Sequence, residues 1–436
     1  MPVSRRGFLQ GGAAVAAAAN AGAAFAANDQ VQIGVIGTGA RSQELIQALL
    51  VVPGNQITAV VDAYQGRVER ALERIGSRAR TVQDYRAMLA DKSIDAVVVA
   101  SPDHWHRQMV LDAVAAGKDV YCEKPLTYSS AEGVEIARAA QAKGRIVQVG
   151  SQGVSSRMQQ KAKELIRAGK LGKVTLIRAA YNRNTASGAW IYPIPPDASP
   201  RTVNWEMFLG PAPKKPFSTE RFFRWRCYED YSGGIATDLF VHLCTTIHYL
   251  MDAKAPSKVM AMGQLYRWKE SRDVPDTLNA MLEYPEGFAV NLSSTFNNQM
   301  SAEGSFQILG TEASLALGGE LTLYPETAVE DNRWIVESWP RRLEEAYYRD
   351  PKVRQAEMPD SRQPRLVEGV QMFRGEGHDA TVTHLGHFLE SVRTRKPHWE
   401  DAWVGHRAAA CAHMVNLSAK RQRLVEWDLA RDDVKS

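Results

Sequence analysis

Four polar side chains recur at helical spacing in an otherwise apolar segment, residues 232–251. Asp238, His242, Thr245 and Tyr249 follow one another at intervals of four, three and four residues. These intervals place all four side chains on one face of a helix. A histidine has a reference pKa of about 6.5 and exchanges protons near neutral pH. The polar face therefore predicts either a satisfied buried network or the wall of a cavity in which a proton is transferred.

A glycine-rich turn near the N-terminus is typical of a phosphate-binding site. An apolar strand at residues 31–36 leads into the run Gly37-Thr38-Gly39-Ala40-Arg41-Ser42 and then into a helical stretch. The first two glycines let the backbone turn sharply and approach a pyrophosphate at the helix N-terminus, and Ser42 replaces the third glycine of the pattern. A second strand ends in Asp62, whose carboxylate would accept bonds from ribose hydroxyls and repel a 2′-phosphate. This order predicts NAD rather than NADP, with Arg67 close enough in sequence to weaken the preference.

Strands and helices continue to alternate up to residue 149. Further strands are predicted at residues 96–100, 119–122 and 146–149, and helices at 82–90, 107–116 and 130–143. The alternation predicts an α/β fold with a doubly wound parallel sheet, in which ligands bind beyond the carboxyl ends of the strands. Two predicted loops lie there, Ser101-Pro102-Asp103-His104-Trp105-His106 and Glu123-Lys124-Pro125. No third ligand of matching pattern accompanies the two histidines, so we predict no metal site.

The βα alternation stops after Gly150. Short strands follow at residues 174–182, 258–267, 278–284, 289–296, 305–309 and 314–317. Their close spacing predicts an α+β domain with a large, mostly antiparallel sheet. Residues 325–375 are predicted to be irregular, and helices are expected at 381–395 and 406–420. We therefore divide the chain into a cofactor domain at residues 28–152 and a second domain at 153–436, for which the family resemblance given below implies a substrate-binding and oligomerisation role.

The first residues differ in composition from the rest of the chain. Arg5 and Arg6 precede a stretch without charge, residues 7–28, that is rich in alanine. This pattern predicts an export signal over residues 1–27, and its Ser-Arg-Arg-x-Phe-Leu sequence resembles the twin-arginine type. An alanine-rich amphipathic helix and a membrane span are alternatives, but the stretch is poor in Leu, Ile and Phe. We expect a periplasmic or otherwise exported protein with no membrane span in the mature chain, carrying a tightly bound cofactor because this route exports folded proteins.

Composition excludes several other classes. The 436 residues contain 53 Lys+Arg and 49 Asp+Glu, a formal charge of +4, so no basic excess suggests a nucleic-acid partner. A hydrophobic content of 44% argues against global disorder. The four cysteines form no C-x-x-C pair, which argues against a disulfide scaffold or structural zinc.

Together these motifs resemble the Gfo/Idh/MocA family, named for glucose–fructose oxidoreductase and inositol dehydrogenase. The resemblance is carried by the glycine turn, by Ser-Pro-Asp-x-x-His ending at His106, by Glu-Lys-Pro at residues 123–125, and by the Gly-Gly signature of residues 233–242. It implies that Lys124 lies beside the nicotinamide and the substrate, and that Asp238 and His242 belong to the active site. Phe240 replaces a glycine of the family signature. The cofactor-binding residues expected on this basis are Gly37, Thr38, Gly39, Ala40, Arg41, Asp62, Ser101, Pro102, Asp103, His106, Glu123 and Lys124.

The resemblance also implies an activity and an assembly. We expect an oxidoreductase that transfers hydride from a CH–OH group of a sugar, polyol or glycoside to NAD, with His242 as base and Lys124 polarising the same oxygen. The first alternative is a glycoside hydrolase or lyase that oxidises and re-reduces its substrate with tightly bound NAD, and the second is a catalytically silent binding protein. The retained Lys124 favours net redox chemistry. Family members pair their large sheets between subunits, so a homodimer or homotetramer is implied. Aromatic and basic loops at residues 181–183, 190–193 and 222–226 would either contact the sugar or pack in the core.

Overall fold

A six-stranded parallel sheet forms the N-terminal part of the protein. The computed structural model describes residues 30–76, 79–300, 306–326, 332–357, 369–375, 377 and 379–435. The strand order β3-β2-β1-β4-β5-β6 reverses direction at β1, as in a doubly wound fold. The strands are β1 Val31–Ile36, β2 Asn55–Val61, β3 Arg80–Thr81, β4 Ala96–Val99, β5 Asp119–Glu123 and β6 Val147–Gly150. The fold class predicted for this part is confirmed; β3, only two residues long, was not predicted.

Helices cover both faces of this sheet, which explains why β4 and β5 are buried along their whole length. The helices are α1 Ala40–Val51, α2 Gln65–Ile75, α3 Tyr85–Ala90, α4 Asp103–Ala115 and α5 Ala131–Lys143. One prediction is wrong in detail, because α4 begins at Asp103 and not at Arg107. Pro102 precedes the first turn and Asp103 occupies it, where an acidic side chain interacts favourably with the helix dipole. His104 and His106 therefore lie on a helix and not in a loop.

A ten-stranded sheet forms the second part of the protein. Its order is β14-β13-β12-β11-β7-β10-β9-β8-β15-β16, and every pair except β7–β10 is antiparallel. The strands are β7 Val174–Asn182, β8 Lys258–Gln264, β9 Thr277–Tyr284, β10 Phe288–Thr295, β11 Phe306–Gly310, β12 Ala313–Leu317, β13 Leu321–Pro325, β14 Gln371–Phe373, β15 Val425–Asp428 and β16 Asp433–Val434. Buried and exposed residues alternate along β9, so one face of the sheet packs on the core and the other is open. The mostly antiparallel sheet is confirmed.

Helices of the second part pack on the large sheet and on the N-terminal part of the protein. They are α6 Arg157–Arg167, α7 Trp205–Leu209, α8 Thr219–Phe223, α9 Val241–Met251, α10 Arg333–Val336, α11 Arg341–Tyr347, α12 Pro351–Ala356, α13 Ala380–Thr394 and α14 Ala402–Arg421. The prediction that residues 325–375 are irregular is wrong where the structure describes them. Helices α10 to α12 and strand β14 lie there, but helices of four to seven residues are too short to show a periodic pattern.

The two C-terminal helices return to the N-terminal part. Leu385 and Phe388 of α13 belong to the same buried cluster as Leu45 of α1. Helix α14 packs against α5 and α9, and the sulfur atoms of Cys244 and Cys411 lie 3.0 Å apart at the α9–α14 contact, both buried and unbridged. The C-terminal helices therefore position α9, which carries His242, against the first sheet.

The predicted export signal, residues 1–27, lies outside the described residues. Across the part of the chain that the structure covers, we find no helix with both the length and the apolarity needed to cross a membrane.

Candidate active site

A cleft of about 420 Å³ follows the carboxyl edge of the parallel sheet and ends at Asp238 and His242. Helix α1 begins in this cleft with Gly39 as its N-cap, so the unpaired N–H groups of its first turn are available to an anion. Gly37 has a φ of +83°, and a Cβ there would lie 2.7 Å from the carbonyl oxygen of Ala100. Only glycine fits this turn, as the close approach of a dinucleotide requires.

Asp62 stands at the end of β2, where the ribose of a dinucleotide would lie. Its Oδ2 accepts a hydrogen bond of 2.7 Å from the Thr38 N–H, and its Oδ1 accepts one of 2.9 Å from the Tyr64 N–H. A carboxylate has about four acceptor positions, so two remain for ribose hydroxyls. The Arg67 Nη1 atom lies 3.9 Å from Oδ1, and its guanidinium packs over the ring of Phe222. Arg67, which could bind a 2′-phosphate, therefore lies beside Asp62, which would repel it.

Arg41 and Glu123 form an ion pair across the cleft. The Arg41 Nε atom donates to Glu123 Oε1 at 2.8 Å. Burial alone would lower the pKa of Arg41, but Glu123 outweighs this effect and holds the pKa above its usual value. The guanidinium also faces the buried hydroxyl of Tyr121. The glycine turn, which has no room for a Cβ at Gly37, and the first turn of α1 fit the phosphates of a bound dinucleotide.

Lys124, Asp238 and Arg226 form a charged cluster at the inner end of the cleft. The Lys124 Nζ atom donates to Asp238 Oδ1 at 2.8 Å and to the Asp238 carbonyl oxygen at 2.9 Å, and the Arg226 Nε atom donates to the same Oδ1 at 3.0 Å. Burial would raise the pKa of Asp238, but the two cations outweigh burial and hold it well below its ordinary value. One carboxylate therefore faces two cations, which leaves a net positive charge where a substrate oxygen would gain negative charge.

His242 lies next to this cluster on α9. Burial, together with the charge of Lys124, lowers the pKa of its imidazole to about 3. The ring is therefore neutral at physiological pH and has a free lone pair. No hydrogen bond to its ring nitrogens is found within the described residues, so either nitrogen is available to a substrate hydroxyl.

The helix that carries these residues departs from a regular α-helix. Residues Ala236–Phe240 form a turn of π-helix before α9, so Asp238 does not precede His242 by a regular α-turn. Such turns are frequent at functional sites. Thr245 shares a face with His242 as predicted, but Tyr249 does not reach the site and packs 4.9 Å from Trp399. Phe240, in place of the family glycine, is fully buried.

The structure brings most predicted cofactor-binding residues to the cleft. Its lining includes Gly37, Gly39, Ala40, Arg41, Asp62, Ser101, Pro102, Asp103, Glu123 and Lys124. Thr38 and His106 lie behind it. Thr38 is fully buried and acts through its backbone N–H.

His106 holds in place the loop at residues 123–125, which carries Lys124. It is 1% exposed, its Nδ1 lies 2.6 Å from the Pro125 carbonyl oxygen, and its Nε2 lies 2.9 Å from the Ser101 carbonyl oxygen. It therefore links the ends of β4 and β5 and positions Lys124. The neighbouring Asp103 is also buried, which raises its pKa to about 6, and accepts a hydrogen bond from Thr237.

Several cleft residues come from loops whose role the sequence left open. Arg183, Trp190, Tyr192, Trp225 and Arg226 line the inner end of the cleft. Gln152 also lines it and was not predicted, although its place just after β6 could have suggested it. Within the described residues, no group of three His, Cys, Asp or Glu is arranged to hold a metal ion.

Comparison with known proteins agrees with this geometry. Residues 31–151 match the oxidoreductase family with an NAD-binding Rossmann fold, and residues 159–316 match the GFO/IDH/MocA C-terminal domain. Inositol 2-dehydrogenase of Acidothermus cellulolyticus is 26% identical over 325 residues, which is 74% of this chain and 83% of that protein. Inositol 2-dehydrogenase 1 of Saccharopolyspora erythraea is 35% identical over 158 residues, 36% of this chain and 47% of its own length.

A solved structure extends the agreement to the fold. Levoglucosan dehydrogenase in complex with NADH and levoglucosan superposes with a TM-score of 0.66 over 91% of this chain and 99% of that one, at 19% identity. At that identity the likeness shows a shared fold only. Taken with the sequence matches to both domains, it shows that the chain belongs to the Gfo/Idh/MocA family of NAD-binding oxidoreductases.

Proposed function

We propose that the protein oxidises a CH–OH group of a sugar or polyol with NAD. The observation that carries this proposal is the convergence of Lys124, Asp238 and His242 at the inner end of the cofactor cleft. The related inositol dehydrogenases and the structurally similar levoglucosan dehydrogenase are named for substrates of this class.

The three residues have different tasks. When NAD is bound, its nicotinamide supplies the hydride acceptor. Lys124 has three N–H donors, of which two are bound to Asp238, so the third is free for the substrate oxygen. Its charge stabilises that oxygen as it becomes an alkoxide. His242, which lines the cleft beside Lys124 and Asp238, accepts the hydroxyl proton. Asp238 holds Lys124 in place.

The test uses the variants Lys124→Ala and His242→Ala. Each should lower turnover by about 10²–10⁴-fold, the usual contribution of a positioned proton-transfer group, with little change in NAD affinity measured by calorimetry. Lys420→Ala removes a solvent-exposed lysine and serves as the matched control. Near-normal turnover in both active-site variants would refute the assignment.

The same assay separates net oxidation from the NAD-recycling alternative. Purified protein is incubated with sugars, polyols and glycosides while NADH absorbance and sugar release are followed together. Net NADH formation is expected. Release of sugar without net NADH would instead identify a glycoside hydrolase or lyase that reuses tightly bound NAD.

We propose that residues 1–27 direct twin-arginine export of the folded, cofactor-loaded protein. Arg5, Arg6 and the uncharged stretch after them support this proposal. The mature N-terminus in a periplasmic fraction, determined by mass spectrometry, should lie near residue 27, and an intact N-terminus in the cytoplasm would contradict it.

We also propose that the open face of the large sheet pairs with a second copy. Met260 and Met281 stand opposite each other on β8 and β9, and Met262 beside them is 73% exposed. Exposed apolar patches of this kind mark interaction surfaces. Light scattering should show a dimer or tetramer, and Met262→Lys with Met281→Lys should shift it toward the monomer.

A further inference from the structure

A second cavity, of about 790 Å³, adjoins the cofactor cleft. The two spaces share His242 and Gln152 as lining residues. A substrate whose reacting hydroxyl lies at His242 can therefore extend into this second space without entering the part of the cleft that the dinucleotide needs. The inner end of the cleft accounts for the binding of one reacting sugar unit. It does not account for the second cavity.

The walls of the second cavity are polar and carry little charge. The polar residues among them are Ser151, Gln152, Gln159, Tyr181, Thr245, Thr246 and Thr381. The Thr245 hydroxyl donates to the Val241 carbonyl oxygen, and the Thr246 hydroxyl accepts from Gln159. Among the described lining residues there is no lysine or arginine. The acidic side chain, Asp379, already accepts the N–H groups of Thr381 and Val382 as the cap of α13. The described lining fits a neutral molecule with many hydroxyl groups.

Two unsatisfied acceptors lie at this cavity. Gln159 donates from Nε2 to Thr246 at 3.0 Å, but its Oε1 is buried and has no hydrogen-bond partner among the described residues. The Oε1 of Gln152 is in the same state. An acceptor buried without a partner is unfavourable, and a small shift of either amide toward a sugar hydroxyl would satisfy it.

The cavity is also larger than the space that one sugar unit requires. A volume of 790 Å³ lies in the upper part of the range, roughly 300–1,000 Å³, of pockets that enclose drug-sized ligands. Its wall is assembled from residues 151–154 just after β6, from α6, β7 and α9, and from the start of α13. Elements from both parts of the protein therefore form a second binding space next to the reacting centre.

We infer that this cavity is a second sugar subsite. The preferred substrate is then a glycoside whose oxidised unit lies at Lys124 and His242, and whose neighbouring neutral sugar occupies the cavity. This inference rests on the proposed oxidation of a CH–OH group and narrows its substrate class. Thr381 and Gln159 become specificity-determining residues.

The experiment compares disaccharides with their component monosaccharides. The probes are cellobiose, maltose, lactose and trehalose against glucose and galactose, with kcat/KM measured from NADH formation by the wild-type protein. At least one disaccharide should exceed its monosaccharides by about tenfold or more. Thr381→Trp, which narrows the cavity, should lower the ratio of the disaccharide value to the monosaccharide value toward one.

Two further variants keep the test decisive. Thr394→Trp places the same ring at the exposed end of the same helix and should leave the ratio unchanged. Gln159→Leu removes one polar group at similar size and should lower the ratio as well, even if Thr381→Trp folds poorly. Equal kcat/KM for both sugar classes in the wild type, or equal effects of the two tryptophan variants, would overturn the inference.

Calorimetry separates this inference from the proposed function. If no sugar yields NADH, the proposed oxidation is refuted. Titration of the NADH-loaded protein with the same sugars still measures whether the second cavity binds a sugar. Tighter binding of a disaccharide than of its monosaccharides, lost in Thr381→Trp, supports the subsite. Equal or absent binding refutes it.

Discussion

At the scale of single residues, Asp62 shows how a carboxylate is prepared for its ligand. Two backbone N–H groups orient the carboxylate, and two of its acceptor positions remain open. The Arg67 Nη1 atom lies 3.9 Å from Asp62 Oδ1. Cofactor choice at this position depends on which of the two charges meets the ribose. The sequence predicts both residues but not their separation, because the loop conformation after β2 sets it.

Replacing Asp62 should therefore change cofactor preference. In Asp62→Ala the repulsion of a 2′-phosphate is lost and Arg67 is free to bind it, so the kcat/KM ratio of NAD to NADP should fall by about tenfold or more. Steady-state kinetics with both cofactors measure the ratio. The double variant Asp62→Ala with Arg67→Ala is the control and should lose most of the gained NADP activity; an unchanged ratio in Asp62→Ala would contradict this role.

The family resemblance identifies Lys124, Asp238 and His242 but does not show how they interact. The sequence places Lys124 114 residues before Asp238, and only the fold shows that the lysine donates to that carboxylate. It also could not show that Arg226 shares the same oxygen, since a basic residue in an aromatic loop has many equally reasonable positions.

At the scale of elements, two of the segments that differ from their predicted form lie at the site. Helix α4 starts four residues early, and a π-turn precedes α9. Periodic patterns locate the interiors of long helices well, but the ends of helices depend on local hydrogen bonds that periodicity does not record. The long strands β7 and β9 were accordingly predicted to within a residue, and the first turn of α4 was missed.

His106 connects these elements, so its replacement should act on Lys124. His106→Leu removes the contacts to the carbonyl oxygens of Ser101 and Pro125 and frees the lysine loop. We expect kcat to fall by about tenfold or more with a smaller change in the KM for NAD, because the lysine and not the glycine turn is displaced. His398→Leu, on a partly exposed histidine, is the control. A fall in thermal stability with an unchanged kcat would assign His106 a purely structural role.

At the scale of the whole molecule, both sheets were predictable and the return of the C-terminal helices was not. Alternating and periodic patterns indicate which strands and helices form, whereas the docking of α13 against α1 depends on side chains nearly 340 residues apart in sequence, such as Leu45 and Leu385. No local pattern contains that information.

Buried histidines make the whole fold sensitive to acid. Burial lowers the pKa of His242 and His248 to about 3, and of His104, His384 and His413 to about 4. The unfolded chain takes up these protons near pH 6.5 and the folded chain does not, so the free energy of unfolding must decrease as the pH falls from 6.5 toward 4. Each histidine contributes at most about 1.4 kcal/mol per pH unit.

Urea unfolding followed by circular dichroism at several pH values measures this loss. Asp103, Asp273 and Glu400, whose pKa values burial raises, act in the opposite direction but are fewer than the five histidines. His248→Gln should flatten the dependence, at the cost of the bond to Tyr284. Stability that stays constant or rises between pH 6.5 and 4 would contradict the prediction.

The contact between Cys244 and Cys411 has one more consequence. The two thiols face each other across α9 and α14, and Cys244 is two residues from His242; solvent reaches neither thiol while the helices are docked. A thiol reagent can modify them only in moments when the two helices separate. The rate at which these sulfur atoms become labelled therefore measures how often α9 separates from α14, with no substitution in the protein. A ligand that keeps α9 docked should slow this labelling.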